Sequence, residues 1–123
     1  IIITKWETAE MVKYFTNCFL ASKVTFANQM YQICLDHDID YDKVCEYALH
    51  DPRIGKSHLA VPGPDGDLGF GGHCFPKDLA AMIAFGSEND GDIGFLKAVQ
   101  DYNDKCRRFR DWENMTGRAV SDD

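Results

Sequence analysis

From Trp6 to Cys34 the chain contains neither glycine nor proline, and no other feature restricts its fold as much. A stretch of that length without a helix breaker favours one long helix. Its apolar residues recur at helical spacing, through Trp6, Ala9, Val12, Phe15, Phe19, Val24, Ala27, Met30 and Cys34, which is the period of a helix with one apolar side. Thr4 followed by Glu7 has capping-box spacing at its start, and the polar run from Asp36 to Asp40 marks its end. About 30 residues rising 1.5 Å each make a helix roughly 45 Å long. That exceeds the width of a 123-residue domain, so part of the helix is expected to pack against another chain.

Asp40 can cap a second, shorter helix carrying Val44, Cys45, Ala48 and Leu49, which stops before Pro52. The stretch from His50 to Pro76 then holds most of the chain's ten glycines and all four prolines, so it is neither regular helix nor central strand. A loop of that length in a small domain is more often functional than merely connecting. A third helix is expected from Pro76, a good first-turn residue, to Phe85, with Gly86 as its stop. The last starts near Asp92 and sets Ile93, Leu96, Val99, Tyr102, Cys106 and Phe109 on one face. With no convincing alternating strand pattern and no internal repeat, the expected fold class is all-α, in one domain.

Composition narrows the partners. The net charge of −7, from 20 acidic and 13 basic residues, repels a polyanion, so no nucleic-acid partner is expected. The basic cluster Lys105, Arg107, Arg108 and Arg110 reads as the solvated end of a helix, where cations complement the dipole. No apolar run approaches the ~18 residues of a membrane span, so no membrane partner is expected and the chain reads as soluble and cytoplasmic. Its five cysteines are scattered without a CxxC pair, which favours reduced thiols over a disulfide framework or a zinc site. Asp65-Gly66-Asp67 lacks the glycine and distal glutamate of a calcium loop, so no metal is expected.

Cys74 stands apart from the other thiols. It lies in Gly69-Phe70-Gly71-Gly72-His73-Cys74-Phe75-Pro76-Lys77-Asp78, just before the expected third helix. A thiol there faces unpaired backbone N–H groups and the positive end of a helix dipole, which favour thiolate. The preceding glycines let backbone approach a ligand closely. Cys18, Cys34, Cys45 and Cys106 fall within helical segments and read as small buried hydrophobes. His73 is adjacent to Cys74 in sequence, and adjacent residues rarely point the same way, which speaks against a Cys–His pair. On the long helix Lys13 and Asn17 are four apart and share a face, where they are either a solvated pair or a site for a carbonyl oxygen or water.

Three segments in order carry a resemblance to a known family. Ala9-Glu10-Met11-Val12-Lys13-Tyr14 through Asn17, with Phe19-Leu20-Ala21-Ser22-Lys23, resembles the long-helix signature of the UDP-glucose and GDP-mannose dehydrogenases. Asp51-Pro52-Arg53-Ile54-Gly55 and Gly69-Phe70-Gly71-Gly72 with Cys74-Phe75-Pro76-Lys77-Asp78 resemble the next two. The resemblance covers about residues 7 to 86. It implies a helical central and dimerisation domain built on the long helix, similar to the C-terminal domain of 6-phosphogluconate dehydrogenase. Residues 1–5 would end a linker from an NAD-binding domain, 6–110 form the central domain, and 111–123 a polar tail.

The family oxidises a sugar C6 alcohol to a carboxylate in two hydride transfers to NAD⁺. The resemblance therefore implies that Cys74 attacks the intermediate aldehyde, passing through a thiohemiacetal and a thioester. It implies that Lys13 and Asn17 stabilise an oxyanion or orient water, and that Asp78 manages the proton. Phe70 and Gly71 align with a substrate-contacting loop, and Arg53 with an arginine reaching the nucleotide-sugar held by the partner subunit of a homodimer. NAD would sit outside this chain, because no βαβ unit with a Gly-rich fingerprint is present, and the chain alone would be inactive. The sequence departs from the common pattern at Ala60, near a usual lysine, and at Gln29, after Asn28, where glutamate is usual. A non-catalytic dimerisation module or a nucleotide-sugar-binding module derived from the same family is the competing expectation.

Overall fold

The structure, a computed structural model, describes residues 6–107. The expected linker 1–5, the Thr4 cap, Arg108, Phe109, Arg110 and the tail 111–123 lie outside the described residues. All regular structure among the described residues is helical. Helix α1 spans Trp6–Asp36, α2 Tyr41–Ala48, α3 Cys74–Gly86 and α4 Gly94–Cys106, with a single 3-10 turn at Glu88–Asp90. The all-α expectation holds, and no described helix is long and apolar enough to cross a membrane.

Helix α1 runs for 31 residues, which at 1.5 Å per residue is about 46 Å. Polar residues within it stay compatible with the helix by bonding backward. Thr16, Ser22, Thr25 and Asn28 donate to the carbonyls of Val12, Cys18, Ala21 and Val24, four residues earlier in each case. Helices α2, α3 and α4 all pack against α1, and α3 also packs against α4.

The buried side of α1 differs from the stripe expected from periodicity. Val12, Phe15 and Phe19 are exposed, at 61%, 71% and 59%, whereas Cys18, Ala21, Thr25, Ala27, Asn28 and Cys34 are buried. Small side chains occupy the inward face because three helices must approach one axis closely, and the large apolar residues are left on the opposite face. Two core clusters result. Cys18 and Ala21 pack with Phe70, Leu79 and Val99 toward α3 and α4. Ala27 and Cys34 pack with Tyr41 and Val61 at the other end. There Tyr31 meets Tyr41 edge to face at 5.6 Å, and the Tyr41 hydroxyl donates to the Leu59 carbonyl at 2.6 Å.

Asp40 caps α2 as expected, its side chain accepting from the N–H groups of Asp42 and Lys43. Three boundaries move. Helix α3 begins at Cys74, two residues before Pro76, because first-turn N–H groups have no intrahelical acceptor and a proline costs nothing there. Gly86 belongs to that helix, and Ser87 follows as its cap. Helix α4 begins at Gly94, whose N–H is accepted by Asp92 Oδ1 at 2.9 Å.

Leu79, 1% exposed, joins α3 to α1 and α4 in the first core. Urea unfolding of Leu79→Ala is expected to show a loss of about 2–5 kcal/mol. A loss below about 1 kcal/mol would mean that α3 is not seated on α1 as described.

Candidate active site

Cys74 is the first residue of α3 and is exposed. Of the other four cysteines, Cys18 and Cys34 are buried as expected, whereas Cys45 and Cys106 are only half-buried. His73 precedes the helix as its cap position, without a side-chain capping bond, and its Nδ1 is buried with no hydrogen-bond partner. Gly72 has φ +81°, and nothing stands within 4 Å of where a Cβ would be. The backbone before the thiol is therefore open to approach.

One turn along α3 from Cys74, Asp78 is 1% exposed. Its Oδ2 accepts a 2.6 Å hydrogen bond from the Asn17 amide on α1. Its Oδ1 has no hydrogen-bond partner, and Lys77 Nζ lies 3.8 Å from it, beyond hydrogen-bond reach. Asn17 and Asp78, separated by 61 positions in sequence, are thus brought together by the α1–α3 contact. Lys13 lies one turn before Asn17 and is exposed, its ammonium 5.3 Å from the Tyr14 ring centroid. Beneath this pair, burial and then the negative charge of Asp78 push the Cys18 thiol up to about 11.

Phe70 and Gly71 lie on the loop leading to Cys74. The Phe70 side chain is buried at 6% and meets Phe75 edge to face at 6.1 Å, whereas Gly71 is half-buried. Arg53 projects into solvent, its side chain 88% exposed, and binds Asp51 through Nε–Oδ1 at 3.0 Å and Nη2–Oδ2 at 2.7 Å. These bonds hold the Asp51 carboxyl below its ordinary value. The structure does not bring Arg53 into the Asn17–Asp78 cluster of its own chain. It lines an open apolar groove of about 900 Å³ with Phe15, Phe19, Phe26, Ile54 and Phe95.

Sequence reasoning missed a second layer of polar residues that holds the loop. Asn28 accepts from the Gly69 N–H at 2.8 Å, and Asn103 accepts from the Phe70 N–H at 2.7 Å while donating to the Phe70 carbonyl at 2.9 Å. Arg107, read from sequence as solvated, is instead buried, its side chain 0% exposed. It donates to the Leu68 carbonyl, pairs with Asp65 at 2.5 Å and approaches Asp67 at 3.6 Å. The correction has a simple physical reason: the chain leaves the helix at Arg107 with extended backbone, which turns the guanidinium back under the loop instead of out to water. Asp65 and Asp67, dismissed as a calcium loop, are its counter-ions, and no group that could hold a metal ion exists among the described residues.

Among its described residues the chain is an all-helical unit with an exposed thiol at the head of α3 and a buried carboxylate one turn along the same helix. The chain belongs to the UDP-glucose/GDP-mannose dehydrogenase family, whose central-domain profile matches residues 7–105. It is 40% identical over 104 residues to the UDP-glucose 6-dehydrogenase AglM of Haloferax volcanii, covering 85% of this chain and 23% of that protein. It is 37% identical over 107 residues to the UDP-glucose 6-dehydrogenase TuaD of Bacillus subtilis, covering 87% and 22%. A UDP-glucose 6-dehydrogenase of Rickettsia bellii is 39% identical over 99 residues, covering 80% and 22%. The chain thus spans less than a quarter of the length of these curated relatives.

Two measurements follow from this geometry. With iodoacetamide near pH 8 and peptide mass spectrometry, Cys74 is expected to be modified in the folded protein while Cys18 stays largely unreacted until pH approaches about 11; equal rates would contradict the burial of Cys18. For the ion network, desolvation pushes the Asp65 carboxyl up, but the hydrogen bonds from Arg107 and Asp67 and the charge of Arg107 outweigh it and leave it below its ordinary value. Its stabilisation is therefore present above the unfolded carboxylate value of about 3.9 and is lost as pH falls through the depressed folded one. Arg107→Met, which removes the buried cation that Asp65 and Asp67 face, should lose about 3 kcal/mol or more by urea unfolding and lose that acid-range dependence. A neutral effect at both pH extremes would mean that the network contributes nothing.

Proposed function

We propose that this chain is the cysteine-bearing central domain of an NAD-dependent nucleotide-sugar 6-dehydrogenase, oxidising UDP-glucose to UDP-glucuronate in two steps. The observation that carries the reading is the buried Oδ1 of Asp78. A carboxylate oxygen enclosed without a hydrogen-bond partner is costly. It becomes reasonable where a reactant hydroxyl or a water is to be received one turn from a thiol. The names of the relatives, all UDP-glucose 6-dehydrogenases, supply the substrate class.

In this reading the Cys74 sulfur attacks the C6 aldehyde formed in the first oxidation and, with the thiol proton passing to the aldehyde oxygen, gives a thiohemiacetal. Loss of a hydride from that carbon and of a proton from its hydroxyl oxygen leaves a thioester, and water cleaves it to the carboxylate and the free thiol. NAD⁺ supplies the hydride acceptor in each oxidation. The described residues contain no βαβ unit to hold it, so its site lies outside them. Asn17, fixed by its bond to Asp78, and Lys13, one turn away, stabilise the oxyanion or orient the water. Asp78 Oδ1 takes the proton. The Phe70–Gly71 loop contacts the substrate.

The same reading gives the exposed face of α1 a role. Phe15, Phe19 and Phe26 are 71%, 59% and 64% exposed along one groove, joined there by Phe95 at 68%. A contiguous apolar surface of that kind is characteristic of an interface. A second copy seated on it would bring Arg53, at the groove's rim, toward the neighbouring subunit's nucleotide-sugar, where a guanidinium suits a diphosphate. Free cysteines throughout fit a cytoplasmic setting, where thiols stay reduced. Residues 6–110 form the domain in this scheme.

The test is alkylation of Cys74 with and without UDP-glucose, paired with turnover of the complete dehydrogenase. UDP-glucose is expected to protect Cys74 selectively. Cys74→Ala should abolish NADH production, and Asp78→Asn should lower it about 10²–10⁴-fold. Normal NADH production by Cys74→Ala would remove the mechanism. Protection without turnover would leave a nucleotide-sugar-binding module.

A further inference from the structure

The loop that leads to Cys74 is held from one side by groups that the chemistry above does not use. Asn103, 2% exposed, commits both ends of its carboxamide to one residue: Oδ1 accepts from the Phe70 N–H at 2.7 Å and Nδ2 donates to the Phe70 carbonyl at 2.9 Å. This is the pairing a neighbouring strand would supply, made by a single side chain. Gly69 is built to admit it. At φ +69° its missing Cβ would collide with Asn103 Oδ1, so only glycine lets the carboxamide reach the next residue. Asn28 holds the Gly69 N–H from α1, and Arg107 holds the Leu68 carbonyl.

We propose that Asn103 is a positioning residue for the Cys74 loop: by tying both backbone groups of Phe70 to α4, it sets where Gly71 to Cys74 stand at the start of α3. The proposal rests on the reading of Cys74 as the nucleophile. Between the clamp at Phe70 and the helix at Cys74 only three residues intervene. The seating of α3 on one side and the carboxamide on the other thus both bear on the position of the thiol. Helix α4 in this way acts on the reacting group without touching it.

Amide hydrogen exchange on the whole chain tests this without substrate or turnover. In Asn103→Leu, of nearly equal volume, the Phe70 amide should exchange about tenfold faster or more. The amide of Asp78, whose helical acceptor is the Cys74 carbonyl, should follow it, while α2 keeps its wild-type rates. In Asn103→Asp the carboxylate can accept but not donate. Once protonated it carries one donor and one acceptor, as the carboxamide does. Protection of Phe70 and Asp78, corrected for intrinsic exchange, should accordingly return as pH falls and the introduced carboxylate, which burial holds above the ordinary carboxylate range, takes up its proton. The proposal is overturned by an unchanged Phe70 amide in Asn103→Leu, or by faster exchange at Phe70 that leaves Asp78 unmoved. Loss of protection equally across α1 and α2, or no recovery of Asn103→Asp in acid, would overturn it too, by showing general support of the fold in place of loop positioning. If UDP-glucose fails to protect Cys74 in the unaltered chain, the dehydrogenase reading falls while the exchange result still judges the clamp.

Discussion

Backbone that belongs to neither helix nor sheet must find partners for its N–H and C=O groups elsewhere, and the rest of this structure depends on how the stretch between α2 and α3 does so. Where that stretch enters the core, at Leu68, Gly69 and Phe70, its polar groups meet Arg107, Asn28 and Asn103. Burying peptide groups without partners would cost several kcal/mol in total. With those side chains in place, Phe70 can enter the same core as Cys18, Ala21, Leu79 and Val99. Packing and polar satisfaction are one event here, because the side chain of Phe70 is buried through the same residue whose backbone is clamped.

The buried guanidinium imposes a condition of its own. A cation fully removed from water is tolerable only when its charge is met and its donors are used. Asp65 and Asp67 provide the charge, and the Leu68 carbonyl takes a further donor. The arrangement joins the end of α4 to the loop at a point where no helix–helix contact could. The link between α1 and α3 is lighter: the Asn17 amide donates to Asp78 Oδ2, while Asp78 Oδ1 has no hydrogen-bond partner.

Much of this organisation is legible in the residues. The absence of glycine and proline before Pro52 announces α1, Asp40 announces the start of α2, and the glycine-rich run announces the irregular stretch that leads to Cys74. Arg107 was misread, because a basic cluster behind an amphipathic pattern looks solvated unless the chain is known to leave the helix at that residue. Asn28 and Asn103 gave little signal. Buried asparagines are rare and carry no periodicity, although Asn103 falls one position from the apolar line of Val99, Tyr102 and Cys106, where a polar residue facing inward could have been noticed.

The apolar stripe of α1 separates the two kinds of information most clearly. Periodicity records that a residue lies on an apolar side of a helix, not which partner covers it. The sequence by itself determined that α1 is one long helix and that a thiol stands at the head of α3. Only the tertiary structure decided that the small residues Cys18, Ala21 and Ala27 face inward while Phe15, Phe19 and Phe26 face out. The physical reason is that helix-to-helix distance depends on the side chains of all the packing elements at once, and those elements are dozens of positions apart in the chain. For the same reason Asn17 and Asp78, 61 residues apart, come within hydrogen-bond distance only after α1 and α3 have packed.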